Sequence, residues 1–224
     1  MQTPKGDSQP HAMRPAEALR SAGRSCVKAL SPFTAADWHS CAALDLDWSV
    51  WDTAVHVNDD LYFYAAQVLL AENDDYVCFE LKADAHASPR RLLAALRLHV
   101  DLLAGVVEST DPSIRGHHVY GVTDPDGFAA MGTVECLVQT YDVLRGLDPA
   151  STWLPPDDVA QASLTRLLRH APTNTSASPG ELLLHMCGRI PLDDRPRLTE
   201  WRWYGEPAPD ASEGAKNDSP SRNG

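Results

Sequence analysis

The stretch that most constrains the fold of this chain runs from residue 121 to residue 147, GVTDPDGFAAMGTVECLVQTYDVLRGL. It opens with the turn-forming sequence Asp-Pro-Asp-Gly at positions 124–127 and continues with apolar residues at helical spacing. Within it Glu135, Gln139 and Asp142 follow one another at i, i+4 and i+7, which places three oxygen-bearing side chains on one face of a helix. A helix that turns both polar and apolar groups toward the interior either builds a binding site or completes a buried polar network.

Apolar stripes of the same kind recur along the rest of the chain. They predict four main helices near residues 14–31, 49–71, 89–108 and 126–147, and two short helices near 156–169 and 179–187. Little of the sequence has the character of a strand, so we predict an all-α, antiparallel four-helix bundle with short C-terminal helices. We expect an aromatic tail, which contains Trp201, Trp203 and Tyr204, to fold back onto this bundle.

The two ends of the chain differ in composition from the part between them. Residues 1–13 and 205–224 are polar and contain several prolines, which is typical of disordered segments. Residues 14–204 carry the apolar stripes. We therefore predict one helical domain over residues 14–204, between a disordered N-terminus and a disordered C-terminal tail.

Charge and cysteine content restrict the partners and the compartment. The chain has 224 residues with a formal net charge of −12, and no basic patch stands out, so we do not expect a nucleic-acid partner. Its five cysteines are odd in number and show no CxxC spacing, which argues against a disulfide framework. The first residues lack the apolar core of a signal peptide, and no apolar run approaches the roughly 18 residues of a membrane span. We expect a cytoplasmic protein without a membrane partner.

Several short pieces of sequence, taken in their order and spacing, carry a resemblance to a known family. They are residues 48–50 leading into 53–57, residues 121–131, residues 135–138 with 141–143, and residues 182–183 leading into 188–189 and 201–203. Together they resemble the DinB-like superfamily of four-helix bundles, in the branch that contains the N-terminal domain of mycothiol-dependent maleylpyruvate isomerase. The resemblance covers about residues 14–204.

The resemblance implies a metal site with one departure from the family pattern. In that family a divalent metal, typically zinc or nickel, is held by a His on the second helix and by a Glu and a His four residues apart on a later helix. These ligands correspond to His56, Glu135 and, in place of the second His, Gln139. Three protein ligands leave a position open for a thiol or water. The amide oxygen of Gln139 suits zinc less well than imidazole does and favours harder ions.

The function that the resemblance implies is a metal-assisted transferase or isomerase that uses a low-molecular-weight thiol such as mycothiol on a small-molecule substrate. A second interpretation stays open, because His56, Glu135 and Gln139 could instead form a metal-free buried network. The protein would then be a degenerate, non-catalytic bundle that binds a small molecule or a protein partner. The sequence feature that separates the two is Gln139.

Some neighbouring residues have simpler expected roles. Asp60, one turn after His56, is a possible substitute ligand, but we expect it to be solvated. We expect Asp142 to brace the site or its helix, and Cys136 to pack rather than act as a nucleophile. The pair His117 and His118 lies in a predicted loop, where we expect it to be exposed.

Overall fold

The computed structural model describes residues 13–44, 46–84 and 86–207, and all regular structure in this part of the chain is helical. The helices are α1 (Pro15–Leu30), α2 (Val50–Leu70), α3 (Pro89–Ser109), α4 (Pro125–Leu147), α5 (Asp157–Leu167) and α6 (Pro179–Met186), with one 3-10 turn at Ser31–Phe33. Each α-helix begins and ends within two residues of its predicted limits, and the all-α prediction is confirmed. The disorder predicted for residues 1–13 and 205–224 lies outside the described residues, apart from Met13 and residues 205–207.

Capping groups explain why the helices begin where they do. Ser49 accepts a hydrogen bond from the backbone N–H of Asp52 at the start of α2, and Asp124 accepts one from Gly127 at the start of α4. Ser178 and the third residue of α6 form a reciprocal capping box. Such contacts satisfy backbone donors that a helix leaves free in its first turn.

Helices α2 and α4 run antiparallel through the centre of the molecule. Val50 at the start of α2 lies beside Gly146 at the end of α4, and Tyr64 near the end of α2 lies beside Phe128 near the start of α4. Helix α4 packs against α1 on its other side, and α3 closes the arrangement by packing against both α1 and α2. Nearly all of α4 is therefore buried, which agrees with its mixture of apolar and polar residues on every face.

Helices α2 and α3, by contrast, run parallel. The amide oxygen of Asn58 accepts a hydrogen bond from the Nδ1–H of His99 at 2.9 Å, and further along both helices Leu61 and Leu103 meet beside Gly132 of α4. Helices α1 and α4 are parallel as well. The predicted antiparallel arrangement is thus wrong for these two pairs, because residues 71–88 carry the chain back along the bundle before α3 begins.

Residues 71–88, which we call the crossing segment, contain no helix among their described residues and are held by polar side chains of α2. Gln67 is fully buried; its amide nitrogen donates to the carbonyl of Asp75 (2.7 Å), and its amide oxygen accepts from the N–H of Val77 (3.1 Å). Asp59 accepts from the N–H of Leu81 at 2.5 Å. These contacts lay the segment along α2, next to His56.

The tail after α6 packs on the bundle as predicted. Trp203 is 4 % exposed, and its ring lies 5.8 Å from the ring of His118 and 5.9 Å from that of Tyr120. The carbonyls of Gly205 and Glu206 accept hydrogen bonds from Arg166 (2.8 Å) and Arg169 (2.9 Å), so contacts with the bundle reach two residues past the predicted limit of 204. Within the described residues no helix combines the length and the apolar character that crossing a membrane requires.

Candidate metal centre

Three potential metal ligands converge in the groove between α2 and α4. The imidazole of His56 and the carboxylates of Asp60 and Glu135 each offer one atom, and these atoms all lie within 4.8 Å of one another. The Nε2 atom of His56 is 3.2 Å from the Oδ2 atom of Asp60. A nitrogen and two carboxylate oxygens at such separations can share one divalent cation. We call these three residues the His56–Asp60–Glu135 cluster.

The helical framework explains why the three side chains meet. His56 and Asp60 are four residues apart on α2 and so lie on one face of that helix. Glu135 comes from the antiparallel helix α4, one turn after Gly132. A Cβ atom at Gly132 would lie only 2.9 Å from the side chains of Leu61 and Leu103, so the absence of a side chain there lets α4 approach α2 closely.

The two carboxylates of the cluster repel each other in a poorly solvated place. Glu135 is 9 % exposed, and the side chain of Asp60 is 17 % exposed. Burial, together with the charges of Glu135 and Asp59, raises the pKa of Asp60 to about 9. Burial also raises the pKa of Glu135, an effect that His56, Gln139 and Arg189 oppose. A bound cation would remove this penalty.

Gln139 takes part in the site through its nitrogen. Its Nε2 atom donates to Oε2 of Glu135 at 3.2 Å, a contact that their i, i+4 spacing on α4 allows. Its Oε1 atom is buried and has no hydrogen-bond partner among the described residues. The amide thus orients the Glu135 carboxylate, while the oxygen predicted as a ligand faces away from it. A half-turn of the amide plane would exchange the two atoms.

Asp60 is a member of the cluster whose burial its sequence position does not predict. We expected it to be solvated, and that expectation is wrong, because α4 covers it and brings Glu135 beside it. Its spacing of four residues from His56 was the available signal, since two ligands on one helix commonly have that spacing. The sequence could not show that α4 packs against His56 and Asp60.

Asp142 braces its helix, which is one of the two roles expected for it. It is fully buried, and Arg189 in the tail makes a short ion pair with it, at 2.7 Å between Nη2 and Oδ2. Arg189 also donates to the carbonyl of Cys187 (2.8 Å). This buried pair ties the start of the tail to α4 two turns after Glu135, and its positive end lowers the pKa of Glu135 against the effect of burial.

A cleft of about 270 Å³ opens beside His56. Trp48 lines it, and its ring meets the His56 ring edge-on at 4.8 Å between centroids. Asp59 and the crossing-segment residues Glu80 and Lys82 complete much of its wall. Small molecules can therefore approach the imidazole side of the cluster from solvent.

Two further expectations have opposite outcomes. Cys136 is buried, and its backbone carbonyl accepts a hydrogen bond from the thiol of Cys26 at 3.1 Å, so its packing role is confirmed. The pKa of its own thiol is raised, first by its contact with Cys26 and then by burial, which makes it a poor nucleophile.

The expected exposure of the His pair is wrong for His118, which is 7 % exposed beneath Trp203. Burial lowers the pKa of His118 to about 4.

Comparison with protein-family models, with curated proteins and with solved structures finds no match to this chain. The function of the protein therefore has to be inferred from the geometry of the cluster and from the residues that surround it.

Proposed function

We propose that the protein binds one divalent cation at the His56–Asp60–Glu135 cluster and acts as a metal-assisted, thiol-dependent transferase or isomerase on a small molecule. The observation that carries the proposal is the convergence of an imidazole and two carboxylates within 4.8 Å, from two helices. The sequence resemblance to the family of mycothiol-dependent maleylpyruvate isomerase supports the same site. The DinB-like fold that this resemblance implies is part of the same proposal.

The chemistry of the residues fits a cation. Burial raises the pKa of both Asp60 and Glu135, and the charge of Glu135 raises that of Asp60 further, so two positive charges between them would offset the cost of ionising both. The buried oxygen of Gln139 has no partner among the described residues, and rotation of the amide would exchange its contact with Glu135 for a contact between this oxygen and the ion. Buried polar atoms of this kind are rare unless a partner completes them.

The ligand set differs from the one that the family resemblance implies. Asp60 of α2 takes the place of the missing second His, so the cluster offers one nitrogen and two carboxylate oxygens. Oxygen-rich sets shift the preference from zinc and nickel toward harder ions such as manganese. We propose zinc, nickel or manganese as the ions to test, with the oxygen-rich set favouring manganese more than a two-His site would.

The residues around the cluster have distinct tasks in this proposal. A bound cation of this type lowers the pKa of a thiol or a water and so supplies a nucleophile at neutral pH. Gln139 holds the Glu135 carboxylate in place, and Asp142 with Arg189 fixes the later part of the same helix. The cleft beside His56 and Trp48 would admit the thiol or the substrate.

The alternative is a non-catalytic bundle whose polar residues satisfy one another without metal. The contacts of His56 with Asp60 and of Gln139 with Glu135, both at 3.2 Å, support it. In that case the cluster is a buried network, and any ligand binds elsewhere on the protein.

Metal content separates the two. The full chain, purified without chelator or affinity tag, is analysed for bound metal and then titrated calorimetrically with zinc, nickel and manganese. We expect one ion per chain in the wild type, and none in Asp60→Asn or His56→Ala. The matched control is Asp101→Asn, which changes an exposed carboxylate on α3 outside the cluster and should bind as the wild type does. Equal, weak binding by all four proteins would overturn the metal site and leave the non-catalytic bundle.

A further inference from the structure

Tyr64 is the next member of the row on α2 that contains His56 and Asp60. The three residues are spaced at i, i+4 and i+8, so they lie along one face of the helix. Long side chains on a helix lean toward its N-terminus. The phenol of Tyr64 therefore leans from its own turn toward the turn that carries Asp60.

The ring of Tyr64 is held by packing on all sides. The residue is 4 % exposed. Its ring centroid lies 5.8 Å from that of Phe128 on α4, 6.2 Å from that of His118 and 6.0 Å from that of Phe63. Because neighbours from three parts of the chain surround the ring, its hydroxyl cannot swing out to solvent without disturbing the core.

The hydroxyl of Tyr64 makes no hydrogen bond to any other residue in the described ranges 13–44, 46–84 and 86–207. Burial, and to a smaller extent the charges of Asp60 and Glu135, raises the pKa of this hydroxyl well above the ordinary value. The phenol thus keeps its proton at neutral pH and is a hydrogen-bond donor.

We propose that the Tyr64 hydroxyl donates a hydrogen bond to an anionic oxygen of a small molecule bound at the His56–Asp60–Glu135 cluster, so that the site selects oxyanions such as carboxylates, enolates or alkoxides. The inference rests on the proposed function, since it requires the cation. Asp60 and Glu135 already balance the charge of a divalent ion, so an added anion makes the site net negative. A neutral, preorganised donor stabilises that anion without adding charge.

The test uses the full chain loaded with cobalt(II), whose visible absorption reports changes in its ligands. Cobalt uptake is measured first, and acetate is then titrated as the probe oxyanion. The variant is Tyr64→Phe, which keeps the ring and removes only the hydroxyl. The matched control is Tyr62→Phe, because Tyr62 lies two residues away and faces His99 of α3 at 6.3 Å between rings. Thermal unfolding verifies that both variants are folded.

We expect all three proteins to take up cobalt equally. Tyr64→Phe should bind acetate about tenfold or more weakly than the wild type, the loss expected on removing one hydrogen bond to a charged oxygen, and Tyr62→Phe should not differ from the wild type. Equal acetate affinity in the wild type and Tyr64→Phe, with cobalt bound, overturns this inference and leaves the metal site standing. Failure of the wild type to bind cobalt overturns the metal site, and this inference with it.

Discussion

Replacing Asp60 by asparagine should stabilise the metal-free protein, although it removes a proposed ligand. The carboxylate of Asp60 sits against Glu135 with only 17 % of its side chain exposed, and its pKa is raised from 3.8 to about 9. The asparagine side chain has nearly the same shape and no charge. The variant therefore removes the repulsion without creating a cavity.

The size of the effect depends on the interval between the ordinary pKa of 3.8 and the assay pH. At pH 7.5 that interval corresponds to about 5 kcal/mol, at about 1.36 kcal/mol per unit of pKa. The imidazole of His56 at 3.2 Å and solvent at the exposed edge of Asp60 reduce this figure. We expect a gain of about 1–3 kcal/mol in the free energy of unfolding, or about 3–10 °C in Tm for a chain of this size.

The gain should depend on pH in a definite direction. A carboxyl whose pKa is raised in the folded state contributes stability fully below about pH 4, and that contribution is lost as pH rises toward 9. The wild type in chelator should therefore lose stability relative to Asp60→Asn across this range. The difference between the two proteins should be near zero at pH 4 and largest above pH 8.

The assay is thermal unfolding of the wild type, Asp60→Asn and the control Asp101→Asn in chelator, from pH 4 to pH 9, repeated with zinc or manganese added. Added metal should raise the Tm of the wild type and of the control, and leave Asp60→Asn unchanged, because only the folded wild-type cluster binds the ion. A lower Tm for Asp60→Asn in chelator at pH 7.5, with no widening of the difference as pH rises, would refute the electrostatic reasoning.

Three other substitutions test separate parts of the structure. Gln139→His should add a nitrogen ligand four residues from Glu135 and increase the Tm shift produced by zinc or nickel; an unchanged shift would mean that this position does not reach the ion. Arg189→Ala should lower the free energy of unfolding in urea by about 3–5 kcal/mol, since it leaves the buried charge of Asp142 without its ion-pair partner; a loss below about 1 kcal/mol would contradict that role. Gln67→Leu should cost about 1–3 kcal/mol and speed amide exchange in the crossing segment before it affects the helices; uniform exchange would show that Gln67 does not anchor the segment.

The helices were the part of the fold most open to prediction. Apolar stripes, Pro at first turns and capping residues such as Ser49 and Asp124 are local signals, and they placed every limit within two residues. The directions of the helices were not open to prediction in this way. A stripe shows which face is buried but not which neighbour covers it, so the parallel pairing of α2 with α3 depended on the path of residues 71–88.

The candidate site could likewise be predicted only in those features that depend on local sequence. His56 and Glu135 were chosen correctly as neighbours, since their ligand atoms lie within 4.8 Å. The spacing of Asp60 was visible, but its burial is a tertiary effect of α4 on α2. The partner of Gln139 was likewise undetermined, because i, i+4 spacing allows an amide either to join a metal or to hold the neighbouring carboxylate through its nitrogen.

The way the crossing segment is fastened has a consequence for how the protein opens. Its described residues form no helix, and side chains of only two α2 residues, Gln67 and Asp59, bind its backbone amides at Val77 and Leu81. The backbone bond from His117 to the carbonyl of Glu72 and the ring contacts of Tyr76 also hold the segment, but it lacks the continuous backbone hydrogen bonds of a helix, so we expect it to open at a lower free energy than the helices beside it. Because the segment forms one wall of the cleft next to His56, local opening removes that wall while the core stays intact. The rate at which small molecules reach the cluster should therefore depend on local opening of this segment and not on global unfolding. The same should hold for the rate of cleavage by proteases.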